Sequence, residues 1–256
     1  MKPEQLPKGL VFATGLPGKV LAGQTTRKNL NPLLASAAPF DGFNLALHVG
    51  DDPVMVQQQR IELLKALEPA GAKRLVWLEQ THSTLVHEVT AQPQFLPVNA
   101  DALISCQMGV ACMIMTADCL PIILSNMEGT EVACIHAGWR GLLNGIVENT
   151  LHAMQSTPVY AWFGTAIGCG AFEVGSDVFE AFTRQDSRTK SAFKALGKGK
   201  YLADINALAR LRLHKLGVTH MLGSEHCSYQ EQTQYYSYRR RSHTGRMATF
   251  VMIRPN

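Results

Sequence analysis

The sequence predicts an α+β fold, with α/β-type sheets of mixed strand direction, as one globular catalytic domain over residues 1–256. Three observations carry that expectation. Short apolar runs rich in Val, Ile, Leu and Thr, separated by Gly, Pro or Asn turns, recur along the chain and read as strands. Stretches with helical spacing lie before, between and after them without strict alternation, so the sheets are expected to be mixed. No internal repeat, low-complexity tract or Pro/Gly/Ser linker divides the chain.

The first clear helix is "DDPVMVQQQRIELLKALEP". Asp52 is its expected N-cap and Pro53 its first helical residue, Val56, Ile61, Leu64 and Leu67 recur near helical spacing, and Pro69 stops it. "RLVWLEQ", "TLVHEVT", "ADALIS", "VACMIMTA", "LPIILS" and "EVACIHA" follow as strands, and their unbroken apolar character implies sheets covered on both faces. "GLLNGIVENTLHAMQS" is predicted as one helix, "VYAWFGTAIG" as a strand and "SDVFEAFTR" as a helix capped by Ser176. "LADINALARLRLHKLG" reads as a helix ending at Gly217, and "MATFVMI" as the closing strand.

A hydrophobic content of 46% supplies a real core. The net charge of +4 comes from scattered Lys and Arg with no basic stripe, which is only a mild pointer to anionic ligands such as phosphates. The start "MKPEQLPKGL" lacks the apolar core of a signal peptide, and Asp118 and Pro121 interrupt the most apolar stretch, from Val110 to Leu124. A cytoplasmic protein with no membrane partner is therefore expected. Cys106, Cys112, Cys119, Cys134, Cys169 and Cys227 show no paired short spacing, so they are expected to be reduced and mostly buried.

Three stretches share a pattern in which an apolar run ends in a reactive residue beside small or turn-forming neighbours. They are "WLEQTHST" with His82, "MTADCLP" with Cys119 and "IHAGWRG" with His136. A side chain at a strand end projects into a cleft while the strand holds it still. Cys119 and His136 are spaced for one strand, a turn around "NMEGT" and a return strand that brings the two ends together. One thiolate and two imidazoles suit zinc, and three protein ligands leave the fourth tetrahedral position for water or substrate. Asp118 either orients a ligand or accepts a proton, or it caps the turn. In "HAGWRG" the glycines allow close approach, Trp139 offers a stacking face and Arg140 a cation for an anion. A tight turn around a buried Trp is the competing explanation.

The motifs "NLALHVGDDP", "QTHST", "ADALIS", "TADCLPIIL", "IHAGWRG", "GTAIGCGAFEVG", "YYSYRR" and "TGR" occur in an order that resembles the polyphenol oxidase or laccase-domain family, regarded as zinc-dependent purine nucleoside phosphorylases. The likeness runs from about residue 40 to residue 252. It implies an α+β fold of the laccase-domain type and a cytosolic enzyme. It further implies that His82, Cys119 and His136 bind the metal, and that adenosine, inosine, guanosine and methylthioadenosine are split with phosphate while adenosine is also deaminated. The chain departs from the family pattern at Thr165 and Cys169, where Gly-Pro is common, which bears on that loop more than on the metal.

Such an enzyme needs an anion clamp for phosphate. Candidates are Arg60, Arg140 and Arg239 or Arg240, with Asn44 and His48 as polar partners, although Arg60 also fits an exposed helix face and the Arg239 to Arg241 run a solvated one. Asp118 and His48 are candidates for moving the proton in deamination. Multicopper oxidation is disfavoured because nine histidines include no His-x-His pair, and copper at the same three ligands is expected to be adventitious. A cysteine amidase acting on cell-wall peptide precursors, with Cys119 as nucleophile and His136 as base, stays open. A nucleic-acid module built on "YYSYRRR" lacks a recognisable binding fold, so no nucleic-acid partner is expected.

Overall fold

The computed structural model describes residues 9–93, 96–223 and 225–255. The chain runs through β1 (Leu10–Phe12), β2 (Val20–Thr25), α1 (Pro53–Leu67), β3 (Arg74–Val76), β4 (Leu78–Glu79), β5 (Val86–Val89) and β6 (Val98–Asn99). It continues with β7 (Ala102–Ser105), β8 (Val110–Thr116), β9 (Leu120–Ser125), β10 (Val132–Ala137), α2 (Trp139–Asn144), α3 (Ile146–Ala153) and β11 (Tyr160–Phe163). The remainder holds β12 (Glu173–Gly175), α4 (Ser176–Gln185), β13 (Phe193–Gly197), β14 (Lys200–Ala203), α5 (Ile205–Lys215), β15 (His220–Gly223) and β16 (Met247–Ile253). This is the α+β architecture with mixed sheets that the sequence predicts.

A five-stranded sheet, β1-β2-β16-β8-β3, packs against a six-stranded one, β15-β11-β9-β10-β7-β5. Two small sheets, β12-β14-β13 and β4-β6, accompany them. In the five-stranded sheet β3 is parallel to β8, while β16 is antiparallel to both its neighbours. In the six-stranded sheet β9 and β10 form an antiparallel hairpin, and β5 and β15 join parallel at the edges.

Strand alternation sorts side chains into layers. Along β8, Cys112 and Ile114 face the other sheet and meet Leu103, Ile123, Cys134 and Trp162, whereas Ala111 and Met113 face outward toward Leu63 and Leu67 of α1. Along β9, Ile122 and Leu124 face outward and pack on Leu142, Ile146 and Val147 of α2 and α3, and on Leu208 and Leu213 of α5. Helices thus cover both outer faces, which is why these strands are apolar at every position. Each such side chain removed from water stabilises the fold by roughly 1.5–3 kcal/mol.

Local details depart from the expectations in explicable ways. Asp52 caps α1 by accepting from Val54 N at 2.9 Å, but Ile61 is exposed and Leu63 takes the buried position. The single helix expected over residues 141–156 is two, because Gly145 is left-handed (φ 101°) and no helix continues through such a residue. Gly175 rather than Ser176 occupies the N-cap of α4, with Ser176 already helical. α5 starts at Ile205 under the Asp204 carboxylate, which accepts from Ala207 N, since Leu202 and Ala203 belong to β14 and pair with Lys194 and Phe193 of β13. Of the cysteines, Cys112 and Cys134 are buried, Cys119 and Cys227 half-buried, and Cys106 and Cys169 exposed, so fewer are buried than expected; all are free thiols. Among the described residues no helix is long and apolar enough to cross a membrane.

Candidate functional site

The β9–β10 hairpin forms as its spacing predicts, pairing His136 with Pro121 and Ala137 with Leu120. Cys119 therefore sits just before β9 where His136 ends β10. His136 shares the strand parity of Val132 and Cys134, which face the neighbouring sheet, so its ring lies where the inter-sheet layer opens at the strand ends. His82 arrives from the loop after β4. The ligand atoms of His82, Cys119 and His136 all lie within 4.8 Å of one another, with Cys119 Sγ 3.8 Å from His82 Nε2 and the two imidazoles edge-to-face at 4.8 Å. Donor atoms around one tetrahedral zinc stand roughly 3.3–3.8 Å apart, so this soft and borderline donor set fits a single divalent ion with small adjustments.

One buried carboxylate organises the cluster. Asp101 is fully buried and accepts from the backbone N–H of Thr81 (3.2 Å), His82 (3.1 Å) and Ser83 (2.6 Å), from the Ser83 hydroxyl (2.6 Å) and from His136 Nδ1 (2.7 Å). It thereby holds His82 in a left-handed conformation (φ 58°) and turns His136 Nε2 toward the other two ligands. Gln80 pins the same loop by exchanging hydrogen bonds with Met115 N (2.7 Å) and Met115 O (2.8 Å) at the end of β8. Gly138 completes the cradle, because a Cβ there would stand 2.8 Å from His82 Cδ2 and 3.1 Å from Cys119 Sγ.

The charges are coupled. Burial pushes the Cys119 thiol up, but His136 and His82 outweigh it and bring the pKa down to about 6. Burial opposes protonation of His136, yet Cys119 and Asp101 raise its pKa to about 9. Asp101 is disfavoured as an anion by burial and held down to about 2 by His136 and Ser83. At neutral pH and without a metal, a thiolate, an imidazolium and a carboxylate stand in line.

The cluster lies in a cleft of about 470 Å³, within the range of small-molecule sites. Its walls include Trp139, Phe172 and Tyr238, the aliphatic Ile167 and Ile205, and the cations Arg140, Arg239 and Arg246. Of the residues singled out in the sequence, His48, Asp118, Arg140 and Arg239 line this cleft, while Asn44 and Arg60 do not. Arg60 stacks on Trp77 at 4.0 Å and donates to Leu45 O at 2.9 Å, and its pKa falls to about 10 through burial. Asn44 is buried and accepts from Arg246 N at 2.9 Å. Both oxygens of Asp118 are engaged, one by Ser228 Oγ (2.6 Å), the other by Ser237 Oγ (3.0 Å) and Arg239 N (2.6 Å), so it ties the C-terminal loop to the ligand strand. In "YYSYRRR", Tyr235 and Tyr236 are buried and Arg240 donates to three backbone carbonyls, which leaves no aromatic row facing solvent.

The chain matches the profile of the family described as multi-copper polyphenol oxidoreductase laccase over residues 22–254. It belongs to that laccase family. Within it, the chain is 45% identical over 222 residues to the purine nucleoside phosphorylase YfiH of Escherichia coli, covering 85% of this chain and 89% of that protein. It is 41% identical over 241 residues to the purine nucleoside phosphorylase of Haemophilus influenzae, covering 92% and 95%. A Neisseria meningitidis protein of known crystal structure superposes with a TM-score of 0.89 at 39% identity, covering 97% of this chain and 100% of that one. Sequence reasoning missed three residues of this laccase-family site. Asp101 carried no signal beyond its place in "ADALIS", Gln80 lay unread in "QTHST", and Arg246 in "TGR" contributed to the likeness without being assigned a role.

Proposed function

We propose that this protein is a zinc-dependent purine nucleoside phosphorylase, acting on adenosine, inosine, guanosine and methylthioadenosine, that also deaminates adenosine. Residues 1–256 act as a single catalytic domain in the cytoplasm, a location that six free thiols support. The observation that carries the reading is the convergence of His82, Cys119 and His136 on the wall of a nucleoside-sized cleft that also holds aromatic faces and arginines. The names of the relatives support the phosphorylase part of this reading.

His82, Cys119 and His136 would hold the ion, which when bound supplies a Lewis acid at the cleft wall. Trp139, Phe172 and Tyr238 offer ring faces to a purine, and Ile167 and Ile205 keep water from the sugar. In phosphorolysis a phosphate oxygen bonds to the ribose anomeric carbon as the bond to the purine nitrogen breaks, and that nitrogen takes the electron pair and then a proton. In deamination a water oxygen adds to the carbon bearing the amine and ammonia leaves. His48 suits the proton transfers, because partial burial and then Arg246 lower its pKa and keep it neutral at physiological pH. Asp118 suits them less, since its oxygens are both occupied by hydrogen bonds.

One observation favours a second reading. Cys119, His136 and Asp101 stand in the order of a nucleophile, its base and an orienting carboxylate, with the thiol already lowered to about 6. A cysteine hydrolase or amidase would use the same residues. Copper oxidation fits the donors less well, since the described residues contain one three-donor cluster and a multicopper site needs several.

The deciding experiment supplies adenosine, with and without phosphate, to protein of known metal content and follows adenine, inosine, hypoxanthine and ribose 1-phosphate. Phosphate-dependent adenine and ribose 1-phosphate support the main reading, and inosine supports the deaminase. No purine product in either condition, together with covalent trapping of Cys119 by an amide substrate, establishes the hydrolase instead.

A further inference from the structure

Arg246 differs from the other cations of the cleft. It is half-buried, and its Nη1 donates to Thr244 O (2.8 Å) and Gly245 O (3.1 Å), two carbonyls of its own loop. Among the described residues no carboxylate lies within ion-pair distance of it, and no acceptor takes its Nε or Nη2. Half-burial costs the guanidinium part of its hydration, while its unbonded Nε and Nη2 keep solvent contact and are open to a ligand entering the cleft. Burial accordingly lowers its pKa, against the pull of Cys119, Asp118 and Tyr238. Asp118, the sole carboxylate among the described residues lining the cleft, already serves Ser228, Ser237 and Arg239 N.

The position of Arg246 is built, not incidental. Asn44 is fully buried and donates to Asp51 Oδ2 (2.8 Å) and Ala46 O (3.3 Å) while accepting from Ala46 N (3.1 Å) and Arg246 N (2.9 Å). Leu45 N donates to Arg246 O at 3.4 Å. These bonds fasten Arg246 to Asn44 and Leu45, just before the turn Leu47–Val49 that presents His48 in the same cleft. Arg246 also lies over a ring, that of Tyr238 at 5.8 Å, and the remaining arginines there differ from it in being exposed. Arg140 is exposed and lies over Trp139 at 4.4 Å, and Arg239 is exposed and donates to Glu173 O at 3.0 Å.

We propose that Arg246, with His48 beside it, forms a subsite for a tetrahedral phosphate group, separate from the three metal ligands and held in place by Asn44. The identity of the anion as inorganic phosphate rests on the phosphorolytic reading above; the subsite does not. A phosphate matches the planar fork of a guanidinium through two parallel N–H···O bonds, and a neutral imidazole adds a third donor.

The test uses the metal-loaded full chain, titrated by calorimetry with inorganic phosphate and separately with adenosine 5′-monophosphate, beside the variants Arg246→Gln, Arg246→Lys and His48→Asn. Arg246→Gln is expected to weaken phosphate binding roughly 10- to 100-fold, the value for losing charge-assisted bonds, with metal content and adenosine affinity unchanged. Arg246→Lys keeps the charge but not the fork, so it loses less and carries the test if the glutamine variant melts early. Wild-type phosphate affinity in a correctly loaded Arg246→Gln protein overturns the subsite. Phosphorolysis whose KM for phosphate is unmoved in that variant keeps the proposed reaction and overturns the subsite. Binding of the nucleoside monophosphate but not of inorganic phosphate, lost in Arg246→Gln, keeps the subsite and overturns the phosphorolytic reading.

Discussion

Asp101 Oδ1 lies 2.7 Å from His136 Nδ1, and the same carboxylate takes the backbone N–H of His82 at 3.1 Å. Two of the three candidate ligands, about fifty residues apart in sequence, are thus aimed by one side chain that no solvent reaches. The pair fixes the His136 tautomer and leaves Nε2 for a metal or a thiolate.

Asp101→Asn is therefore expected to weaken metal binding about 10- to 100-fold, measured by competition with a chromogenic chelator. The amide keeps the shape but loses the charge facing His136 and three N–H groups, so stability falls by about 2–4 kcal/mol. The folded pKa of Asp101, about 2, lies below its unfolded value of 3.8, so its stabilisation is complete above pH 3.8 and lost as pH falls toward 2. The variant should show a flatter acid limb in thermal melts than the wild type. Equal metal affinity in the two proteins removes Asp101 from the site.

Gly138→Ala tests the cradle. The added methyl meets His82 Cδ2 at 2.8 Å and Cys119 Sγ at 3.1 Å, and His82 is the side that can yield because it is exposed on a loop. Metal content should fall well below one ion per chain, while the melting temperature of the metal-free protein moves little. A variant that loads metal normally shows that His82 is not required close to Gly138.

The thiol of Cys119 offers a pH test that is independent of activity. In chelator-treated protein its alkylation by iodoacetamide should rise with a midpoint near pH 6, well below an ordinary thiol, and metal loading should suppress it. Stability is a poorer probe. The lowered pKa of Cys119 adds stability that is complete above pH 9 and lost as pH falls through 6, whereas the raised pKa of His136 adds stability that is complete below 6.5 and lost as pH rises through 9. The two slopes oppose each other between pH 6.5 and 9. An alkylation midpoint near 9 that metal does not affect argues against the cluster.

Asp118→Asn separates a holder from a proton carrier. A residue whose carboxylate binds Ser228, Ser237 and Arg239 N should, once neutral, loosen the loop that bears Tyr238 and Arg239. The expected result is a KM for nucleoside raised about tenfold with kcat changed less, together with a lower melting temperature. Loss of kcat alone, with KM and melting unchanged, makes Asp118 the shuttle.

Much of this was legible in the chain. The strands β7 to β10 announce themselves because burial on both faces leaves them apolar throughout, and the Cys119 to His136 spacing matches a hairpin whose ends must meet. The α1 cap is equally local, written in Asp52 and Pro53. The break at Gly145 was missed because a lone glycine costs only about 1 kcal/mol in a helix, so residue type alone does not announce that it caps α2 in a left-handed state with its N–H on Gly141 O and Leu142 O. Arg60 has the sequence look of an anion ligand, yet in the fold it stacks on Trp77, donates to Leu45 O and does not line the cleft.

The chain by itself determined which atoms are available: two imidazoles and a thiol at the ends of apolar runs, with small residues around them to permit close approach. Only the tertiary structure decided which of the many polar side chains share that space. Asp101 reaches His136 and the His82 loop, and Asn44 reaches Arg246, across sequence separations that carry no periodic signal. The reason is physical. Secondary structure follows from near neighbours, whereas a buried charge finds its partners only when sheets stack and close off water.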